Sequence, residues 1–123
     1  MQEKVLDQIA SDKLKAFVLW TPRYPGDNRA KALESMKLVG DKRATQYWDG
    51  GRWLGRQYGK TLKLPGNRSF AWDVYLVFDA DARWRESPPA PLEWMHQLGG
   101  DDGRRLDGDK LRETIRGRLK HAD

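Results

Sequence analysis

The chain has 123 residues and a mass of 14.3 kDa, which suits one domain built on a single hydrophobic core. It contains no cysteine, and this excludes thiol–disulfide oxidoreductase and cysteine peroxidase activity, disulfides and cysteine metal sites. The formal net charge of +5 permits attraction to nucleic acid, anionic lipid or acidic proteins without selecting among them. We predict one domain over residues 1–123, with no cofactor.

Neither the apolar runs nor the N-terminal segment indicates a membrane protein. The longest apolar runs, at residues 16–20 and 74–78, are far shorter than the roughly 18 residues that a membrane-spanning helix needs. Residues 1–8 carry charges throughout and lack the apolar stretch of a secretory signal. The sequence therefore predicts a cytoplasmic chain without a membrane partner, and it leaves the oligomeric state open.

The first elements follow from apolar spacing. A short helix is predicted over residues 2–12, where apolar side chains recur at helical intervals. Residues 16–20 are apolar at every position, which predicts a central strand that is buried on both faces. Two prolines within residues 21–26 break regular structure and predict a loop at the carboxyl end of that strand.

The middle of the chain continues the alternation of helix and strand. A helix is predicted over residues 28–39, because Asp27 or Asn28 can cap its first turn. A strand follows at residues 43–48 and ends at a run of aspartate and glycines. Apolar residues at a spacing of four then predict a third helix, which Pro65 ends.

The last third of the chain is predicted to hold a hairpin and a helix. Residues 72–78 are typical of a strand, and the turn after them predicts an antiparallel partner around residues 83–85. Residues 87–103 begin with a proline-rich stretch and are interpreted as a long structured loop. A hydrophobic staple and a continuing apolar stripe predict the last helix at about 108–121.

This order of elements resembles that of the thioredoxin-like superfamily along nearly the whole chain. Residues 16–22 (AFVLWTP) are similar to the strand that delivers the redox loop, and residues 74–79 (VYLVFD) to the fourth strand. The segments 47–49, 71–76 and 94–98 are similar to a group of small uncharacterised bacterial proteins without a Cys-x-x-Cys motif. The resemblance implies one thioredoxin-like α/β domain, with a central mixed sheet of about four to five strands flanked by helices.

The chain departs from that superfamily at its redox site. Arg23-Tyr24-Pro25-Gly26 stands where the superfamily carries Cys-x-x-Cys. Phe70-Ala71-Trp72-Asp73 stands where the superfamily places a cis-proline before the fourth strand. The resemblance therefore implies a redox-inactive member whose former redox face has different chemistry.

Ligands of open α/β sheets collect beyond the carboxyl ends of the strands. That rule predicts a cleft with aromatic walls, a cation and carboxylates, which would hold a small polar molecule or an extended peptide. The candidate ligand-binding residues are Thr21, Arg23, Tyr24, Trp48, Asp49, Trp72, Asp73 and His96. The alternative is structural: Asp49 caps a helix, and the tryptophans belong to the core. We predict that Trp48 and Trp72 are largely buried beside the strand ends, with their indole N–H groups paired to polar neighbours such as Asp49 or Asp73, so that they are structural as well as possible walls of the cleft.

We predict a redox-inactive binding module that holds an unidentified protein or small-molecule ligand at this cleft, with no catalytic residue assigned. One alternative is an enzyme of unknown class that uses Asp49, Asp73 and His96 in acid–base chemistry. For His96 the competing interpretation is a buried imidazole bonded to backbone, and one histidine makes a poor transition-metal site. A further alternative is nucleic-acid binding through the basic residues 104–120, weighed against an ordinary solvated helix face.

Overall fold

A computed structural model describes residues 1–99 and 103–121. These residues form an α/β structure, and this confirms the predicted class. The strands are β1 (Ala16–Trp20), β2 (Ala44–Trp48), β3 (Val74–Val77) and β4 (Glu93–His96); the α-helices are α1 (Arg29–Met36), α2 (Trp53–Thr61) and α3 (Gly108–His121). Short 3-10 turns cover Leu6–Gln8 and Pro65–Asn67.

The chain divides into two compact units. Unit 1 consists of Met1–Arg52 and Gly108–His121, and unit 2 consists of Trp53–Asp107. Each unit contains one sheet of two strands, β1 with β2 in unit 1 and β3 with β4 in unit 2. The predicted single sheet of four to five strands is therefore not confirmed within the described ranges. None of the helices in those ranges is long and apolar enough to cross a membrane.

In unit 1, β1 and β2 are parallel and are connected through α1, as the alternation of apolar runs and a capped helix predicts. The Asn28 side chain caps α1 by accepting the Lys31 N–H at 2.9 Å. The prediction that β1 is buried on both faces is wrong, because Phe17 is 66% exposed. Its neighbour across the sheet, Thr45, is exposed too, so one face of this two-stranded sheet meets solvent.

The N-terminal segment of unit 1 is held by a largely buried arginine instead of a helix. The helix predicted over residues 2–12 is reduced to the single turn Leu6–Gln8, although the apolar side chains of this segment are buried. The Arg43 guanidinium donates to the carbonyls of Leu6 at 2.7 Å, Ile9 at 2.6 Å and Ser11 at 3.0 Å. Those carbonyls lie outside helical hydrogen bonding, so a charged donor satisfies them.

In unit 2, β3 pairs antiparallel with β4, and Val74 lies opposite His96. The predicted partner around residues 83–85 is wrong. That segment is Arg-Trp-Arg and is exposed, whereas the β4 residues Trp94 and Met95 are buried. A strand that covers a core must supply apolar side chains, and the later segment supplies them.

The core of unit 2 lies between α2 and the β3–β4 hairpin. It is a cluster of buried side chains from Tyr58, Leu62, Leu64, Ala71, Trp94 and Leu98. α2 approaches the backbone of residues 69–71 through Gly55 and Gly59. The Ala71 N–H donates to the Gly55 carbonyl at 2.8 Å, which fixes this close approach.

Candidate functional site

The carboxyl ends of β1 and β2 meet at one edge of the unit 1 sheet, because the strands are parallel and Trp20 lies opposite Trp48. The Asp49 N–H donates to the Trp20 carbonyl at 2.8 Å, and the Thr21 Oγ1 donates to the Asp49 carbonyl at 3.3 Å. These bonds hold the two chain segments together just beyond the strands. We call Thr21, Arg23, Tyr24, Trp48 and Asp49 the strand-end site.

The loop that follows β1 is shaped by the Asp27 carboxylate. One of its oxygens accepts the N–H groups of Arg23 at 2.7 Å and Tyr24 at 2.8 Å. The Asp27 N–H in turn donates to the Tyr24 carbonyl at 2.9 Å. Because the hydrogen bonds from Tyr24 and Arg23 stabilise the ionised carboxylate, they lower the pKa of Asp27.

This loop presents a cation against an aromatic ring. The Arg23 guanidinium carbon lies 5.4 Å from the centroid of the Tyr24 ring, within the range of a cation–π contact. Tyr24 is 61% exposed, so the pair is displayed to solvent and is not part of a core. The arrangement offers a positive charge and an aromatic face side by side, on a loop whose backbone is already ordered.

Trp48 and Trp72 are each mostly buried with part of the side chain exposed, which agrees with the prediction that both are largely buried. Trp48 lies at the end of β2 in a sheet of two strands, and that sheet is too small to cover the whole indole. The backbone of Gly50 closes over one part of it, since a Cβ there would lie 2.9 Å from the Trp48 Nε1. The Asp49 carbonyl also accepts the Arg52 N–H at 3.2 Å and so shapes the turn before α2.

The other predicted site residues, Trp72, Asp73 and His96, belong to unit 2. Asp73 adopts a left-handed backbone with φ of 51° just before β3, and its carbonyl accepts the Gln97 N–H at 2.9 Å. Although the residue is largely exposed, partial desolvation of its carboxyl raises the pKa of Asp73. Trp72 packs against the core cluster of unit 2.

His96 has the structural role that the sequence left as the competing interpretation. Its side chain is 0% exposed, and its Nδ1 accepts the Leu98 N–H at 3.1 Å. Its ring lies 5.9 Å from that of Trp94. An imidazole without access to solvent cannot exchange a proton with a bound substrate in this conformation. Among the described residues, no group of three or more histidine and carboxylate side chains is placed to hold a metal ion.

Several cations of the basic C-terminal segment are engaged within the fold. The pairs are Arg104–Glu93 at 2.7 Å, Arg112–Asp109 at 3.2 Å and Arg116–Glu113 at 2.7 Å. Arg116 also donates to the Gln8 carbonyl at 2.8 Å, which ties α3 to the N-terminal segment. This helix therefore offers less uncompensated charge to a nucleic acid than its composition indicates.

Sequence reasoning placed Thr21, Arg23, Tyr24, Trp48 and Asp49 at one sheet edge, and the structure brings them there. The sequence analysis interpreted Asp27 only as a helix cap and missed its role in the loop. The short separation of Asp27 from Arg23 and Tyr24 could have indicated this role, because an aspartate commonly accepts backbone N–H groups within a few residues. Asn28 takes the capping role instead.

Replacing Asp27 with asparagine should loosen the loop and lower stability at neutral pH, since the neutral amide is a weaker acceptor. The folded-state pKa of Asp27 lies below its ordinary value of 3.8, so the stabilisation exists above that pH and is lost as the pH falls through the folded-state value. The gap in urea midpoint between wild type and Asp27→Asn should therefore close in acid. Asp81→Asn removes the same charge from an exposed position and should leave the urea midpoint at pH 7 unchanged. An equal loss of stability in both variants would contradict the prediction.

Comparison of the chain with protein-family models, with curated proteins and with solved structures gives no match.

Proposed function

We propose that the chain is a redox-inactive, thioredoxin-like binding module that holds a protein partner or a small ligand at the strand-end site. The absence of cysteine excludes thiol chemistry. The element order β1-α1-β2, α2, β3-β4, α3 supports the thioredoxin-like part of the proposal, because it follows the order that the sequence resemblance implies. The module keeps the loop that follows the first strand and uses it for recognition.

The exposed pair Arg23–Tyr24 is the observation that carries this proposal. Ordering a loop at the moment of binding costs conformational entropy, and a loop already fixed by Asp27 avoids much of that cost. The guanidinium favours a carboxylate, and the Tyr24 ring favours an apolar or aromatic group beside it. The matching ligand is therefore a carboxylate next to an aromatic or aliphatic group, such as a peptide C-terminus.

The test is an amide-shift titration of the ¹⁵N-labelled protein with short N-acetylated peptides that end in a free aromatic residue. We expect saturable shifts at residues 21–27 and at Trp48 and Asp49, and weaker shifts with the C-terminally amidated peptides. Arg23→Gln should reduce the affinity about tenfold, the effect of one charge-assisted hydrogen bond.

Arg29→Gln is the matched control, because it removes the same charge from the exposed start of the neighbouring helix. It should leave the titration unchanged. Shifts confined to other surfaces, or an equal loss of affinity in both variants, would overturn the proposal.

A further inference from the structure

The charges of unit 2 are unevenly placed along its sequence. Residues 53–72 contain the four cations Arg56, Lys60, Lys63 and Arg68 and no aspartate or glutamate. Everywhere else in the chain the basic residues are interspersed with acidic ones. A segment of 20 residues with a single sign of charge attracts polyanions and repels other cationic surfaces.

The structure gathers part of this charge on one face of α2. Trp53, Arg56 and Lys60 are exposed, and their spacing of three and four residues places them along one side of the helix. The opposite side packs Tyr58 into the core of unit 2. Arg56 and Lys60 are separated by about 6 Å along the helix axis, and the exposed Lys63 follows shortly after the helix ends.

These cations are not neutralised by the fold. The side chains of Arg56, Lys60 and Lys63 make no hydrogen bond or ion pair with any residue in the described ranges. In this they differ from Arg112 and Arg116 of α3, which are paired with carboxylates. Their charge is therefore available to a partner.

An exposed tryptophan pair lies beside this row of cations. Trp53 is 48% exposed and Trp84 is 54% exposed, and their ring centroids are 6.4 Å apart with an interplanar angle of 32°. Trp84 is positioned by an edge-on contact with Tyr58 at 6.5 Å. Tyr58 is itself fixed, because its hydroxyl donates to the Pro89 carbonyl at 3.0 Å. Two large rings held in place and open to solvent are a platform for a planar ligand.

We propose that this surface binds single-stranded nucleic acid, with phosphates at Arg56, Lys60 and Lys63 and bases stacked on Trp53 and Trp84. We call these five residues the α2 basic face. Single strands are favoured because their bases are free to stack on aromatic rings, whereas duplex bases are already stacked on each other.

The first test is fluorescence anisotropy of a labelled oligothymidylate of about 20 nucleotides, titrated at several salt concentrations. The wild-type protein should bind at low salt with an affinity that falls as salt rises. The Arg56→Gln/Lys60→Gln variant should bind about tenfold more weakly at low salt, and its slope of log K against log salt should be smaller by about 1.4. Lys15→Gln/Lys42→Gln removes two exposed cations from unit 1 and should change neither quantity.

The second test separates stacking from charge. Trp53→Leu should weaken oligothymidylate binding roughly fivefold or more while leaving the affinity for inorganic polyphosphate unchanged. Circular dichroism checks that each variant is folded, and Lys63→Gln, which lies outside α2, replaces the double variant if that one unfolds.

Three results would overturn the proposal. The first is that the wild-type protein does not bind the oligothymidylate at low salt. The second is that Lys15→Gln/Lys42→Gln loses as much affinity as Arg56→Gln/Lys60→Gln. The third is that the protein binds phosphatidylserine vesicles but not the oligonucleotide. Since the α2 basic face and the strand-end site share no residue, either proposal can fail without the other.

Discussion

The Gly59→Ala variant is expected to be less stable than the wild-type protein by about 2–3 kcal/mol, a large part of the roughly 5–15 kcal/mol that holds a domain together. A Cβ at this position would lie 1.9 Å from the Ser69 carbonyl oxygen and 2.4 Å from its carbon. The obstacle is backbone, so no side-chain rotation can relieve it. The gain of about 1 kcal/mol that alanine usually brings to a helix interior is too small to offset the clash.

Urea denaturation followed by circular dichroism measures this effect. Gly117→Ala is the matched control, because Gly117 lies inside α3 and a Cβ there would meet nothing within 4 Å. That variant should be more stable than wild type by about 0.5–1 kcal/mol. If Gly59→Ala were stabilising as well, the close approach of α2 to residues 69–71 would be refuted.

The Arg43→Met variant is expected to lose on the order of 3 kcal/mol of unfolding free energy. The side chains of Arg43 and Asp41 are only 11% and 13% exposed, and their closest atoms are 2.6 Å apart. Methionine keeps most of the side-chain volume but leaves Asp41 without the guanidinium, so that of its hydrogen bonds with residue 43 only the one from the backbone N–H remains. It also leaves three carbonyls, those of Leu6, Ile9 and Ser11, without their charged donor.

The same variant should change the acid sensitivity of the protein. Hydrogen bonds from Arg43 lower the pKa of Asp41 to about 2, from an ordinary value of 3.8. Because the folded-state value is the lower one, the ion pair stabilises the fold above about pH 4, and this contribution is lost as the pH falls toward 2. Arg43→Met should show a smaller fall in urea midpoint over that interval.

Lys42→Met is the control for Arg43→Met, since it removes a neighbouring charge that is exposed. Its urea midpoint should stay near that of the wild-type protein at neutral pH. Equal midpoints for the two variants would show that the Arg43 network adds nothing to stability.

Local patterns predicted the elements that depend on local chemistry. The apolar run of β1, the cap of α1 and the stripe of α3 each contain their own signal, and those elements form where the sequence places them. β4 was missed because its strand character depends on pairing with β3, across a connection of 15 residues that begins with charges and ends with prolines. Periodicity within a short window does not contain that information.

The candidate site also contains features that local pattern predicted and features that it did not. The parallel pairing of β1 and β2 was enough to place Thr21 beside Asp49, because both residues follow paired strand ends. The sequence analysis also gave a buried imidazole bonded to backbone as an interpretation of His96, and the structure confirms it. Asp27 and Asn28 offer the same acceptor chemistry, and only the backbone geometry of the loop decides which of them caps α1.

The two compact units differ in how their residues are distributed along the chain, and this has a consequence for biosynthesis. Unit 2 is one continuous stretch, whereas unit 1 combines Met1–Arg52 with Gly108–His121. On a translating ribosome, unit 2 is therefore fully synthesised while unit 1 still lacks α3 and the bond from Arg116 to the Gln8 carbonyl. Nascent chains arrested before and after α3 should then differ in the protease resistance of unit 1, while unit 2 is protected in both.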